Sequence, residues 1–105
     1  MQNMNMGKMM KQVQQMQKQM EKAQEELANE EVEASAGGGM VTVKVSGDLS
    51  IKSIKLDPEA IDPEDPEMLE DMILAAVNEA MRAAQELASK KMSGLTGGLN
   101  IPGLM

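Results

Sequence analysis

Lysines and methionines near the start of the chain are the side chains best suited to chemistry, because ammonium groups bind anions and thioethers pack or ligate soft metals. Residues 1–20 hold lysines and no acidic residue. Lys8, Lys11 and Lys18, together with Lys22, fall on one arc of a helix with 3.6 residues per turn. Such an arc can follow a nucleic-acid phosphate backbone without reading bases. A solvated polar face explains the same pattern, and the residues alone favour that simpler explanation.

An apolar stripe lies on the far side of the same predicted helix. Its residues step by three and four, the a/d spacing of a coiled coil. They are Met6, Met9, Val13, Met16, Met20, Ala23 and Leu27. A helix from about Asn3 to Asn29 is about 40 Å long at ~1.5 Å per residue. The rest of a 105-residue chain cannot cover so long a stripe. We therefore expect it to be a seam that meets a second protomer or another partner.

Enzymatic and metal chemistry are disfavoured by composition. The chain has no Cys, His or aromatic residue, so thiol nucleophiles, usual zinc sites and the commonest general base are missing. Cu(I) ligation by the methionines is disfavoured because no Cys or His assists it. The glycines at 37–39 lack the ending of a phosphate-binding loop, and the acidic run at 57–71 lacks EF-hand spacing. We expect no catalytic residue, no metal and no cofactor.

Charge is distributed unevenly along the chain. The net charge of −7 argues against a nucleic-acid partner. However, residues 1–20 carry +3 from three lysines, whereas residues 57–71 carry −8 from eight acids and no base. Screening over ~8 Å at physiological salt separates a basic arm tip from an acidic body. No apolar run reaches the ~20 residues of a membrane span and no signal peptide is recognisable, so the expected location is the cytoplasm.

The pattern of elements predicts an α+β fold: a long N-terminal helix, a three-stranded antiparallel meander and a C-terminal helix. Alternating apolar and polar residues place the strands at 32–36, 40–46 and 50–56. Asp65 is the expected N-cap of the second helix, with Pro66 at its first position. That helix is expected to end near Met92, with Gly94 as its C-cap. We expect one domain at 1–94 and a flexible, Gly-rich tail at 95–105.

Motifs along nearly the whole chain resemble those of the YbaB/EbfC family of bacterial nucleoid-associated proteins. They are Gly7–Gln12, Glu33–Gly39, Val41–Val43, Gly47, Ile54–Pro58, Ala75–Ala80 and Leu99–Leu104. The order and spacing of these motifs carry the resemblance, since no single one is diagnostic. It implies a tweezer-like homodimer whose protomers join through the sheet region and the helices, with helical arms that project outward.

The resemblance also implies a function. Members bind duplex DNA, often with little sequence preference, and are implicated in nucleoid organisation and gene regulation. Carried over to this sequence, the DNA-contacting candidates are Lys8, Lys11, Lys18, Lys90 and Lys91. With the resemblance added, the DNA-binding explanation of the arm is favoured over a solvated face. The alternative is a protein-interaction module in which the Met-rich coiled-coil seam holds a partner helix.

Overall fold

The computed structural model of the protein describes residues 2–99. Helix α1 covers Gln2–Asn29 and is followed by strands β1 (Glu31–Ala36), β2 (Val41–Ser46) and β3 (Ile51–Leu56). A short 3₁₀ turn at Pro58–Ala60 leads to helix α2 (Pro66–Leu99). The predicted α+β class and the order of its elements are confirmed.

The sheet is an antiparallel meander in the order β1-β2-β3, as the sequence predicts. On one face, Val43 of β2 lies between Ala34 of β1 and Ile54 of β3. Val41 and Val45 flank Val43 on the same strand, and all three valines are fully buried. The alternation of β2 therefore sorts its side chains into a core face and an outer face.

Helix α2 covers this apolar face over β1 and β2. Its fully buried alanines, Ala76, Ala80 and Ala84, pack against the three valines of β2. Their small side chains let the helix approach the sheet closely. The apolar side of β3 is only partly covered, because Ile51 and Ile54 are 47% and 46% exposed. The core is therefore small and asymmetric, and it ends before the β3 edge.

Glycine conformation and a side-chain cap define two of the connections between the helices and strands. Gly37, Gly38 and Gly39 all adopt positive φ in the β1–β2 turn, a conformation that glycine adopts without steric cost. The side chain of Asp65 accepts a hydrogen bond from the backbone N–H of Met68 (3.3 Å), which caps the start of α2. The predicted turn and N-cap are confirmed.

The predicted end of the second helix is wrong. Helix α2 continues past Met92 to Leu99, and Gly94 lies within the helix rather than at its C-cap. Gly94 and Leu95 line a groove together with Gln19 and Ala23 of α1, and Leu95 is half-buried. The helix thus continues through Gly94 despite the low helix propensity of glycine. The remainder of the predicted tail, residues 100–105, lies outside the described residues.

Candidate nucleic-acid interface

A backbone joint fixes the C-terminal end of α1 to the sheet. The N–H of Gly47, which follows β2, donates to the carbonyl oxygens of Leu27 (2.8 Å) and Glu30 (2.9 Å). A Cβ at Gly47 would lie 2.8 Å from the oxygen of Leu27, so a larger residue cannot fit without a shift. Ala23 and Leu27 are buried beside this joint. The last turns of α1 are therefore held firmly on the body.

An ion-pair clamp ties the same end of α1 to α2. Lys91 Nζ lies 2.9 Å from a carboxylate oxygen of Glu26 and 3.0 Å from one of Glu30. The hydrogen bond and the positive charge of Lys91 lower the pKa of Glu26, and the two carboxylates in turn raise the pKa of Lys91. Because Lys91 pairs with Glu26 while the later residue Leu95 lines a groove with the earlier residue Gln19, the two helices run antiparallel here.

The N-terminal part of α1 extends beyond this joint as a projecting arm, defined here as residues 6–20. Its seam residues are exposed, with values that fall from 65% at Met6 and 62% at Met9 to 38% at Met16. Val13 and Met20 are also exposed. The predicted seam thus divides in two, since Ala23 and Leu27 are covered by the same chain and the other five residues are not. The arm keeps a continuous apolar stripe that is open to a partner.

The structure places the arm lysines together and separates them from the other candidates. Lys8, Lys11 and Lys18 are all exposed on the arm and span about 15 Å along the helix axis at ~1.5 Å per residue. Lys90 is exposed on α2, outside the arm. Lys91 is held between Glu26 and Glu30, so its ammonium group is already neutralised. Of the five candidate lysines, the three on the arm therefore share one exposed helical segment.

The neighbouring groove does not suit an anion. An open groove of about 700 Å³ lies where α1, α2 and the β2–β3 turn meet. Its acidic lining comes from Glu21, Glu25 and Asp48, and its apolar lining includes Leu27 and Met92. Because carboxylates repel phosphate, this groove is not a candidate site for an anionic ligand. Across residues 2–99, no cluster of three or more acidic, His or Cys side chains could hold a metal ion. No described helix is both long and apolar enough to cross a membrane.

Fold and surface together define a small α+β protein with a projecting basic arm. The model of the YbaB/EbfC DNA-binding family matches residues 1–99. The chain belongs to this family, which consists of nucleoid-associated DNA-binding proteins and is not a family of enzymes. The sequence-based assignment to the family is confirmed.

Similar proteins come from several bacteria. A nucleoid-associated protein of Alkaliphilus metalliredigens is 65% identical over 95% of this chain and 88% of its own length. A nucleoid-associated protein of Pelotomaculum thermopropionicum is 61% identical, over 95% of both chains. The crystal structure of an uncharacterised protein from Helicobacter pylori superimposes with a TM-score of 0.76 at 20% identity, over 84% of this chain and 92% of that one. This structural likeness supports the fold.

Proposed function

We propose that this protein is a nucleoid-associated homodimer that binds duplex DNA through its helical arms. The observation that carries the proposal is the set of three exposed lysines on an arm that projects beyond the body, at Lys8, Lys11 and Lys18. No acidic residue lies within residues 1–20, so the arm surface is positive although the whole chain is not. The names of its relatives support a location in the nucleoid, within the cytoplasm.

The type of cation on the arm supports binding with little sequence preference. Lysine acts as a point charge on phosphate, whereas arginine reads guanine through two parallel hydrogen bonds. Residues 1–20 contain no arginine. The arm is therefore suited to hold the DNA backbone, and through it to affect DNA conformation, nucleoid organisation and gene regulation.

Two uncovered apolar surfaces support the homodimer. One is the seam of the arm, and the other is the side of β3 that α2 does not reach, with Ile51 and Ile54. Burying such surfaces against a second copy removes apolar area from water at about 25 cal/mol per Å². A dimer also gives each DNA molecule two arms, which doubles the number of phosphate contacts.

Salt-dependent binding tests the DNA-binding proposal. Fluorescence anisotropy of a labelled duplex should show saturable binding that weakens as salt rises from about 50 to 200 mM. Replacing the arm lysines together (K8Q/K11Q/K18Q) should weaken binding to all duplex sequences alike and reduce the salt slope by ~0.9 for each lost contact. Arg82→Gln is the control for a single charge, compared with Lys8→Gln, because Arg82 lies outside the arm and is paired with Glu79 and Glu86. Unchanged affinity in the triple variant contradicts the proposed role of the arm.

Sedimentation equilibrium tests the homodimer. The wild-type chain should sediment with twice its 11.3 kDa mass. A charge at Ile54 (I54K) or in the middle of the seam (M16K) should shift the equilibrium towards monomer, because each charge would be buried by the partner. A monomeric wild-type protein whose arm methionines become protected from oxidation only when another protein is added would instead support the protein-interaction alternative.

A further inference from the structure

The outer face of the sheet, opposite α2, carries a second group of lysines. Two rows of side chains cross this face from β1 through β2 to β3. One row is Glu33, Lys44 and Ser53, and the other is Ser35, Thr42 and Lys55. Lysine and hydroxyl side chains therefore alternate on a surface that α2 leaves uncovered.

Charge rises strand by strand across this surface. Strand β1 carries −2 from Glu31 and Glu33, β2 carries +1 from Lys44, and β3 carries +2 from Lys52 and Lys55. The acids thus lie on one edge strand, and the lysines lie on the central strand and the opposite edge strand. A gradient of this kind orients an anionic ligand over β2 and β3.

The lysines of this face keep their charge available. Lys44, Lys52 and Lys55 are all exposed, and the ion pairs found within residues 2–99 involve Arg82 and Lys91 instead. Lys44 lies opposite Glu33 across the strands, yet the two form no ion pair in this part of the chain. These three ammonium groups can therefore take a new anionic partner.

A β-bulge shapes the lysine cluster. The register of β2 and β3 shifts between Lys44 and Val45, so that Ser53 pairs with Lys44, Ile51 pairs with Val45, and Lys52 has no Cα partner. A bulge bends its strand and redirects the side chain of the extra residue. Lys44 and Lys55 are diagonal neighbours, about 7–8 Å apart at the backbone in a regular sheet. The sheet, backed by the buried valines of β2, fixes the backbone at these positions.

We propose that the outer face of β2 and β3 is a second binding surface for the phosphate backbone of duplex DNA, formed by Lys44, Lys52 and Lys55 with the hydroxyls of Thr42 and Ser53. This inference rests on the proposed function and adds to it, because it assigns a contact to the body as well as to the arm. Lysine and hydroxyl side chains are the usual donors to phosphate oxygens, and they carry no base preference. The surface therefore strengthens binding without adding sequence specificity.

The position of β3 at the sheet edge extends this surface in a dimer. If a second copy covers Ile51 and Ile54, the two β3 strands lie near the dimer axis. The lysine clusters of both protomers then become neighbours, while the acidic β1 strands remain at the outside. In such a dimer, DNA would contact the lysines of β2 and β3 at the centre, and the acidic β1 strands would lie on either side.

Lysine replacements on the sheet test the inference. The variant K44Q/K52Q/K55Q should bind duplex DNA at least about tenfold more weakly than wild type at ~0.1 M salt, and its salt slope should fall by ~0.9 per lost phosphate contact. The charge-retaining variant K44R/K52R/K55R should bind like wild type. Arg82→Gln, compared with Lys55→Gln alone, controls for the loss of one charge from the protein as a whole. Thermal unfolding of each variant should match wild type, since the replaced side chains are exposed.

The outcomes separate this inference from the proposed function. If wild type does not bind duplex DNA even at low salt, the proposed function fails and this inference fails with it. If wild type binds and K8Q/K11Q/K18Q is weakened while K44Q/K52Q/K55Q is not, only the sheet surface is overturned. A sheet variant that loses binding to an acidic polypeptide but keeps its DNA affinity also overturns it. Loss of DNA affinity in both triple variants, with additive salt slopes, supports two separate contact surfaces.

Discussion

The two ends of helix α1 have opposite structural roles. Its C-terminal end buries Ala23 and Leu27, is held by backbone hydrogen bonds from Gly47 and is clamped by Lys91. Its N-terminal end continues the same apolar spacing, but Met6 and the residues after it remain exposed. One heptad pattern thus packs into the interior of this chain at one end and remains on its surface at the other. Spacing predicts which residues face together, whereas neighbouring elements decide what covers them.

Matched valine truncations should reveal the contrast most strongly. Val43→Ala in the body removes two buried carbons at ~0.8 kcal/mol each and leaves a cavity, so we expect a loss of about 2 kcal/mol or more in the free energy of unfolding. Val13→Ala on the exposed arm should cost less than ~0.5 kcal/mol at low protein concentration. Urea unfolding measures both. A Val13→Ala cost that grows with protein concentration would show that a partner covers the arm.

The joint at Gly47 separates the two ends of α1. Gly47→Ala forces a Cβ against Leu27, so we expect a loss of about 1–3 kcal/mol in the free energy of unfolding. Hydrogen exchange should show faster exchange around Ala23 and Leu27 than at the valines of β2. Equal loss of protection throughout the chain would contradict the idea of a local joint.

Gly7 offers the matched glycine replacement on the arm. No atom lies within 4 Å of a Cβ built at Gly7, so Gly7→Ala should raise helix stability by about 0.5–1 kcal/mol. Circular dichroism should show more helix at elevated temperature, while the urea midpoint of the body stays unchanged. A clear destabilisation would mean that the arm packs against something at Gly7.

The Lys91 clamp should produce the smallest effect, and one that depends on pH. Lys91 lowers the pKa of Glu26 from its ordinary value of 4.5, so the stability that Glu26 contributes is present above that value and is lost as pH falls through the lowered pKa. The carboxylates raise the pKa of Lys91 from 10.5, so its contribution is present below 10.5 and is lost as pH rises through the raised pKa. Lys91→Gln should lower the thermal midpoint slightly between these two pH limits, where the clamp contributes, and should flatten both limbs of a plot of thermal midpoint against pH.

Much of the fold could be predicted because its signals are local. Three of these signals depend only on residues that are close together in the sequence. They are the alternation of β2, the three glycines of the β1–β2 turn and the Asp65 cap. The end of α2 could not be found in this way, since the groove that Leu95 lines is shared with Gln19, which is distant in the chain. The partial cover of β3 was hidden for the same reason: alternation places Ile54 on the apolar face but does not show how far α2 extends.

The candidate site was predictable in part. The lysine arc and the seam follow from helical periodicity, so their grouping on the arm was available from the sequence. The ion pairing of Lys91 could not be predicted from the sequence, because its partner Glu30 lies 61 residues away in the chain. The lysines of β2 and β3 were visible only as a modest local excess of positive charge at 34–56. Strand register was needed to place Lys44 and Lys55 on one face, with Lys52 at the bulge beside them.

The meander connectivity of the sheet has a consequence for the order of folding. Each strand pairs with its neighbour in the chain, so the sheet can form by closing two short hairpins, each on a timescale of about 1–10 μs. Placing α2 over β1, and closing the Lys91 clamp onto Glu30 of α1, requires closure of much longer loops. We therefore expect the sheet to form first and the Lys91 clamp between α1 and α2 to close late, so that Lys91→Gln mainly accelerates unfolding and leaves the folding rate nearly unchanged.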